Sequence, residues 1–167
     1  MGMLFEGLGT TLLISVFAAL LGLVIGTLVA IVGIAGDSPV MKLPKLLCKL
    51  YVSIIRGTPM ALQLFIMAYT IFAIRGFPKE ITAIIAFGIN SGAYVSENIR
   101  AGILSVDVGQ TEAGRALGLN GKTTMIKIVI PQGIKNILPT LGNELIALVK
   151  DTSVVSFVAA VDLYKTF

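Results

Sequence analysis

The chain has 167 residues, of which 56% are hydrophobic and only 13% are charged, and its mean hydropathy is +0.94. Soluble domains carry about 25% charged residues, so this composition excludes an ordinary soluble protein and indicates a membrane protein. Lys and Arg outnumber Asp and Glu by 13 to 9. Because cytoplasmic flanks of membrane helices are basic, we attribute the excess to the lipid bilayer and expect no nucleic-acid partner.

The first predicted span covers residues 8–36. No charged residue occurs from 7 to 36, and about 30 helical residues extend about 45 Å, enough to cross a hydrocarbon core of about 30 Å. Gly22, Gly26 and Ala30 recur every four residues. That pattern is typical of helices that pack closely in lipid.

A basic amphipathic segment follows the first span. Lys42, Lys45 and Lys49 are spaced for one helical face, while leucines fill the other, which predicts a helix lying among the lipid headgroups. Further apolar runs predict spans over 58–74, 81–99 and 133–149. The predicted fold is therefore all-α, a single polytopic membrane domain over 1–167 with four spans.

The distribution of basic residues predicts the orientation. Four of them separate the first and second spans and five lie within residues 100–135, whereas the first six residues contain none. The positive-inside rule therefore places the N-terminus outside and these two segments in the cytoplasm.

Several types of chemistry are not expected. The chain has no His and a single Cys, Cys48, which argues against a His/Cys metal site and leaves no intrachain disulfide. The stretch "ALGLNGKT" (116–123) fits a relaxed phosphate-loop pattern, but such a loop must follow a buried strand and open a helix. The residues before it are polar and helix-prone, so we expect no bound nucleotide, no cofactor and no enzymatic activity.

The polar segment "EAGRALGLNGKTTMIKIVIP" (112–131) is unusual between apolar spans. Residues 112–117 predict a short helix, Gly118 suits its C-terminal cap, and Asn120 suits the N-cap of a new helix near Gly121. A helix under two turns is not stable alone, so this segment is either held by a partner as a docking element or is an ordinary cytoplasmic loop.

Polar residues at membrane depth mark candidate positions along a solute pathway, because they are costly in lipid. A carboxylate such as Glu97 or Glu144 suits a substrate ammonium group, and Lys150 suits a carboxylate. The structural alternatives are pairing of Glu97 with Arg100 and bonding of Glu144 between helices. The candidates are Gln63, Asn90, Ser91, Tyr94, Glu97, Asn143, Glu144, Lys150 and Asp151.

The chain resembles the permease subunits of ATP-binding-cassette (ABC) importers, and their polar amino-acid branch in particular. The family's cytoplasmic loop reads E-A-A, three residues, G, nine residues, then I-x-L-P. Here Glu112-Ala113-Gly114, Gly118 and the run from Ile128 to Pro131 keep that spacing, with Gly114 and Ile130 as departures. The stretches "IRGTPMALQLF", "GAYVSENIRAGI", "VGQTEAGRALGL" and "IPQGIKNILPTLGNELIALVKDTSVVS" carry the resemblance over about residues 8–163.

This resemblance implies a coupling region over about 107–127 that docks a separate ATPase subunit. The implied docking residues are Glu112, Ala113, Gly114, Arg115, Ala116 and Gly118. It also implies a second permease subunit, an extracytoplasmic solute-binding protein and a location in the bacterial inner membrane. Family members continue for some fifty residues through one more span, which is expected to be absent here.

Two other functions are consistent with the composition. An autonomous secondary carrier or channel subunit would use Glu97 and Glu144 as ion or proton sites. A purely structural membrane protein would transport nothing.

Overall fold

The computed structural model describes residues 2–36, 38–73, 77–152 and 155, with side chains from Gly7 onward, and over these residues it contains helices and turns without strands. The all-α prediction is confirmed. The α-helices are α1 (Gly2–Ile34), α2 (Lys42–Gly57), α3 (Met60–Ile66), α4 (Lys79–Leu104), α5 (Val108–Ala116), α6 (Gly121–Thr124) and α7 (Ile130–Asp151). A 3₁₀ turn (Pro39–Met41) precedes α2, and π-helical turns follow α3 (Met67–Ile71) and α6 (Met125–Val129).

Helix α1 is apolar on all sides and exposes leucine, valine and isoleucine along most of its length. It ends at Ile34, slightly before the predicted limit at 36. Among the described residues, its segment Gly7–Ile34 alone is long and apolar enough to cross a membrane by itself. Pro39–Gly57 and Met60–Ile71 meet the same criterion only as a pair, which is bent by 108°. The spans predicted over 58–74, 81–99 and 133–149 remain predictions.

Helix α4 occupies the centre of the bundle and contacts α1, α2, α3 and α7. Its buried positions include Thr82, Asn90, Ser91 and Ser96. A helix surrounded by protein is not required to be apolar, because lipid does not reach its polar groups. This position explains why hydropathy identifies α1 far more clearly than α4.

Helices α1 and α4 interlock through small residues. A Cβ on Gly22 would come within 2.7 Å of the Ser91 side chain, and a Cβ on Gly26 would come within 2.6 Å of Val95. The same holds in the other direction, since Cβ atoms on Gly88 and Gly92 of α4 would come equally close to side chains of α1. The predicted role of the small-residue stripe in close helix packing is therefore confirmed.

Helix α2 is amphipathic, as predicted. Its leucines, among them Leu43, Leu46 and Leu50, are more than half exposed, which leaves an apolar face available to lipid. On its other side, the Tyr51 hydroxyl donates a hydrogen bond to the carbonyl of Ile89 in α4. This bond fixes α2 to the central helix and leaves the leucines facing outward.

Helix α7 crosses α4 at two glycines. A Cβ on Gly102 would overlap a methyl group of Ile137, and a Cβ on Gly133 would come within 3.2 Å of the Gly102 carbonyl oxygen. The crossing lies at the end of α4 that leads into α5. The main apolar core lies farther along the bundle and is formed by Ile14, Ala18, Leu64, Ala83, Ala86, Phe87 and Leu148.

Candidate functional site

Two of the candidate pathway residues form a partly buried amide network. The Asn90 amide nitrogen donates to the Gln63 side-chain oxygen at 3.0 Å. The Gln63 amide nitrogen donates to the carbonyl of Ile55 at 2.8 Å and to the Thr58 hydroxyl at 2.7 Å. These bonds cross the bend between α2 and α3, so Gln63 joins three segments.

Tyr94 and Glu97 lie at the C-terminal part of α4, beside two arginines. The Arg100 guanidinium donates to both carboxylate oxygens of Glu97, with a shortest distance of 2.8 Å. Arg56 of α2 lies 3.8 Å from the same carboxylate and 5.2 Å above the centre of the Tyr94 ring. Glu97 is thus engaged by two cations, which fits the structural alternative stated for it.

The fourth predicted span contributes one inward-facing candidate. Glu144 on α7 is half-buried and lies near the Ser91 hydroxyl of α4, which makes no hydrogen bond among the described residues. Ser91 itself is fully buried. Asn143, Lys150 and Asp151 are exposed on α7.

Six of the nine candidate residues therefore form three groups: Gln63 with Asn90, Tyr94 with Glu97, and Ser91 with Glu144. Sequence reasoning did not connect Thr58 or Arg56 to these groups. Thr58 stood at a predicted span boundary, and Arg56 was interpreted only as an orientation signal. The i, i+3 spacing of Glu97 and Arg100 did signal that pair.

The first helix of the coupling region begins earlier than the sequence suggested. Helix α5 starts at Val108, not at Glu112, because the Asp107 carboxylate accepts a 2.6 Å hydrogen bond from the Gly109 amide and caps the helix. The helix has nine residues, more than the two turns allowed for in the sequence analysis. An aspartate ahead of a helix is a recognised capping signal, but the predicted helix over residues 112–117 left Asp107 out of account.

The two predicted caps are confirmed. Gly118 has φ of 79°, the left-handed conformation expected after a helix. The Asn120 side-chain oxygen accepts a 2.8 Å hydrogen bond from the Thr123 amide at the start of α6. The chain therefore reverses between α5 and α6 in a defined conformation.

Gly114 holds α5 against the following segment. It is buried, and a Cβ there would lie 2.7 Å from the Thr124 methyl and 3.1 Å from Ile128. The other proposed docking residues, Glu112, Ala113, Arg115, Ala116 and Gly118, are exposed. One side of the helix is therefore fixed within this chain, and the opposite side is open.

Two hydrogen bonds connect the coupling region to the bundle. The Gln132 amide on α7 donates to Gln110 on α5 at 3.2 Å. The Asn136 amide on α7 donates to the Ser105 hydroxyl after α4 at 2.9 Å. The sequence analysis missed these four residues, since long-range polar pairs have no local pattern.

Comparison with known proteins gives consistent results. Residues 22–166 match the family of binding-protein-dependent transport system inner membrane components. The chain is 43% identical over 163 residues to a putative glutamine transport system permease of Rickettsia prowazekii (strain Madrid E), covering 96% of this chain and 72% of that one. It is 38% identical over 162 residues to an arginine transport system permease of Bacillus subtilis (strain 168), with the same coverage.

Solved structures agree with these relationships. A chain of an amino acid ABC transporter crystallised with histidines superposes with a TM-score of 0.81 at 39% identity, covering 89% of this chain and 68% of that one. An inward-facing methionine ABC transporter gives a TM-score of 0.74 at 22% identity, covering 92% and 73%, which supports the fold. The chain therefore belongs to the family of inner membrane components of binding-protein-dependent transport systems, as a permease subunit of an ABC importer.

Proposed function

We propose that this chain forms the pathway for a polar amino acid that an extracytoplasmic binding protein delivers and that a separate ATPase subunit drives across the membrane. The names of the relatives, which specify glutamine and arginine transport, support this substrate class. A second permease copy, identical or related, completes the pathway. The distribution of basic residues supports an N-terminus outside the cytoplasm.

The main support for this proposal is that α5 packs against its own chain on one side only and is exposed on the other. Gly114 packs against Thr124 and Ile128, while Glu112, Arg115 and Ala116 are exposed. Small exposed residues allow close approach by a groove on a partner, and the two charged residues set its register. A force on α5 reaches α7 through the Gln110–Gln132 hydrogen bond.

Copurification tests this docking. Arg115→Glu reverses an exposed charge on α5 and should abolish retention of the ATPase subunit, as should deletion of residues 112–118. Lys135→Glu makes the same change at an exposed position of α7 and should leave retention unchanged. Undiminished association after the deletion would contradict the proposal.

For the solute, the proposal assigns direct contact first to Glu144, with the buried Ser91 hydroxyl behind it. A half-buried carboxylate beside a buried hydroxyl suits the ammonium or guanidinium group of an amino acid. ATP hydrolysis by the assembled importer, measured with binding protein and basic, acidic or amide amino acids in turn, identifies the substrate. The family assignment argues against the autonomous carrier, and the two arginines around Glu97 give no support to an ion site there.

A further inference from the structure

A cleft of ≈ 520 Å³ lies between the C-terminal part of α1, helix α2 and the C-terminal part of α4. Its volume falls within the range of about 300–1,000 Å³ that small-ligand sites occupy. Helix α1 contributes only apolar or small residues to it. The charged lining comes from the other two helices and consists of Lys45, Lys49, Arg56, Glu97 and Arg100.

Positive charge dominates this cleft. Glu97 is the one carboxylate in its lining, and it already binds Arg100 at 2.8 Å and lies 3.8 Å from Arg56. A single carboxylate does not neutralise two arginines, and Lys49 adds further positive charge. A concave wall of low polarity concentrates the field of such charges and attracts an anion.

The amphipathic character of α2 indicates that the anion is supplied by the membrane. Leu43, Leu46 and Leu50 are exposed on its outer face, so α2 lies with this face in the hydrocarbon and its lysines at headgroup level. Basic pockets between membrane helices at this depth bind anionic lipid headgroups. Lysine is a suitable ligand for the phosphate because it acts as a compact point charge with three donors.

We propose that this cleft binds the headgroup of an anionic phospholipid, with Lys45, Lys49 and Arg56 around the phosphate and the acyl chains leaving the cleft along the apolar wall that α1 contributes. This lipid would brace α2 against α1 and α4 next to the Gln63 network. The inference rests on the proposed function only in placing α2 at the membrane surface.

Cys48 provides a native probe, because it lines the same cleft and is the single cysteine of the chain. The assembled permease–ATPase complex is placed in nanodiscs of phosphatidylcholine, with or without phosphatidylglycerol. Alkylation of Cys48 by N-ethylmaleimide is followed by mass spectrometry of its peptide. Phosphatidylglycerol should slow alkylation about fivefold, the factor 1 + [L]/Kd for a site that is about four-fifths occupied.

Matched variants distinguish lipid binding in the cleft from a general effect of positive charge on α2. Lys45→Gln combined with Lys49→Gln should remove the slowing, and Lys49→Arg should preserve it. Lys42→Gln removes the same charge from the same helix outside the cleft lining and should also preserve it. Slowing that persists in the double variant, or that Lys42→Gln abolishes equally, would overturn the proposal.

A second arm distinguishes a lipid from a free anion. Inorganic phosphate added to neutral nanodiscs should leave the alkylation rate unchanged. Protection equal to that by phosphatidylglycerol would assign the cleft to a soluble anion and overturn the lipid proposal. ATPase retention by each variant shows that the complex is intact, so failure here is distinct from failure of the coupling proposal.

Discussion

The Asn90 amide donates a 3.0 Å hydrogen bond to the Gln63 side chain, and this bond joins the middle of α4 to the bend between α2 and α3. Gln63 in turn donates to the Ile55 carbonyl and the Thr58 hydroxyl. A side chain with three such contacts orders the connection between the surface helix and the bundle. Two residues selected as solute contacts therefore have a structural role as well.

Asn90→Ala should lower the free energy of unfolding by about 1 kcal/mol, since hydrogen bonds within membrane bundles contribute about 0.6–1.7 kcal/mol. Thermal unfolding of the purified complex measures the change. Asn143→Ala alters an exposed amide and should have an effect below about 0.5 kcal/mol. Equal effects of the two variants would show that the Gln63 network contributes nothing specific.

Gly102→Ala should impair both folding and transport, because the added methyl would overlap Ile137 at the α4–α7 crossing. We expect destabilisation of about 1–3 kcal/mol, the usual cost of overpacking. Gly142→Ala on α7 meets no neighbouring atom within 4 Å and should be neutral or stabilising. Expression level and unfolding temperature of the two variants provide the comparison.

A compensating change tests the stated cause. Ile137→Ala removes the methyl that Gly102→Ala would overlap. The double variant should therefore be less destabilised than the sum of the single variants, since residues in contact are not additive. If the destabilisation of the double variant equals the sum of the two single variants, overlap with Ile137 is not the cause of the Gly102→Ala effect.

Glu144→Gln should change substrate recognition, whereas Glu97→Gln should mainly affect assembly. A charge-assisted hydrogen bond contributes about 1.5–3 kcal/mol, so loss of the Glu144 charge should raise the half-saturating concentration of substrate about tenfold or more. Glu97 is occupied by Arg56 and Arg100, so its neutralisation should lower the yield of complex with little change in substrate preference.

Substrate-dependent ATP hydrolysis separates these two outcomes. Uptake and preference that remain intact in Glu144→Gln would make Glu144 a structural residue. Altered preference in Glu97→Gln would instead place the solute at the α4 end that leads into the coupling region.

Asp107→Ala should destabilise α5 by about 1 kcal/mol through loss of its N-cap. Hydrogen exchange at residues 108–116 of the permease should accelerate about fivefold, and the bound ATPase should suppress much of this increase. Asp107→Asn retains a capping oxygen and is the matched control. Unchanged exchange in the alanine variant would show that the 2.6 Å bond to Gly109 does not hold the helix.

The sequence was sufficient to predict the helical class, the close packing of α1, the amphipathic α2 and the two caps around Gly118. Each of these depends on neighbours within a few residues, where composition and spacing are informative. The start of α5 was wrong because the predicted helix began at Glu112 and the Asp107 cap was not considered. The Gln63–Asn90 and Gln110–Gln132 pairs lie 27 and 22 residues apart, and only the tertiary arrangement brings them together.

The interlocked glycines of α1 and α4 have a mechanical consequence. Rotation or sliding of either helix against the other would drive backbone into the side chains of Ser91 or Val95, so the two move as one body. The outer surface of α1 carries bulky apolar side chains such as Phe17, Leu20 and Leu28. Any movement of the central helix therefore also displaces the surrounding acyl chains. The viscosity of the bilayer then affects the rate of each turnover, and its thickness affects the energetic cost.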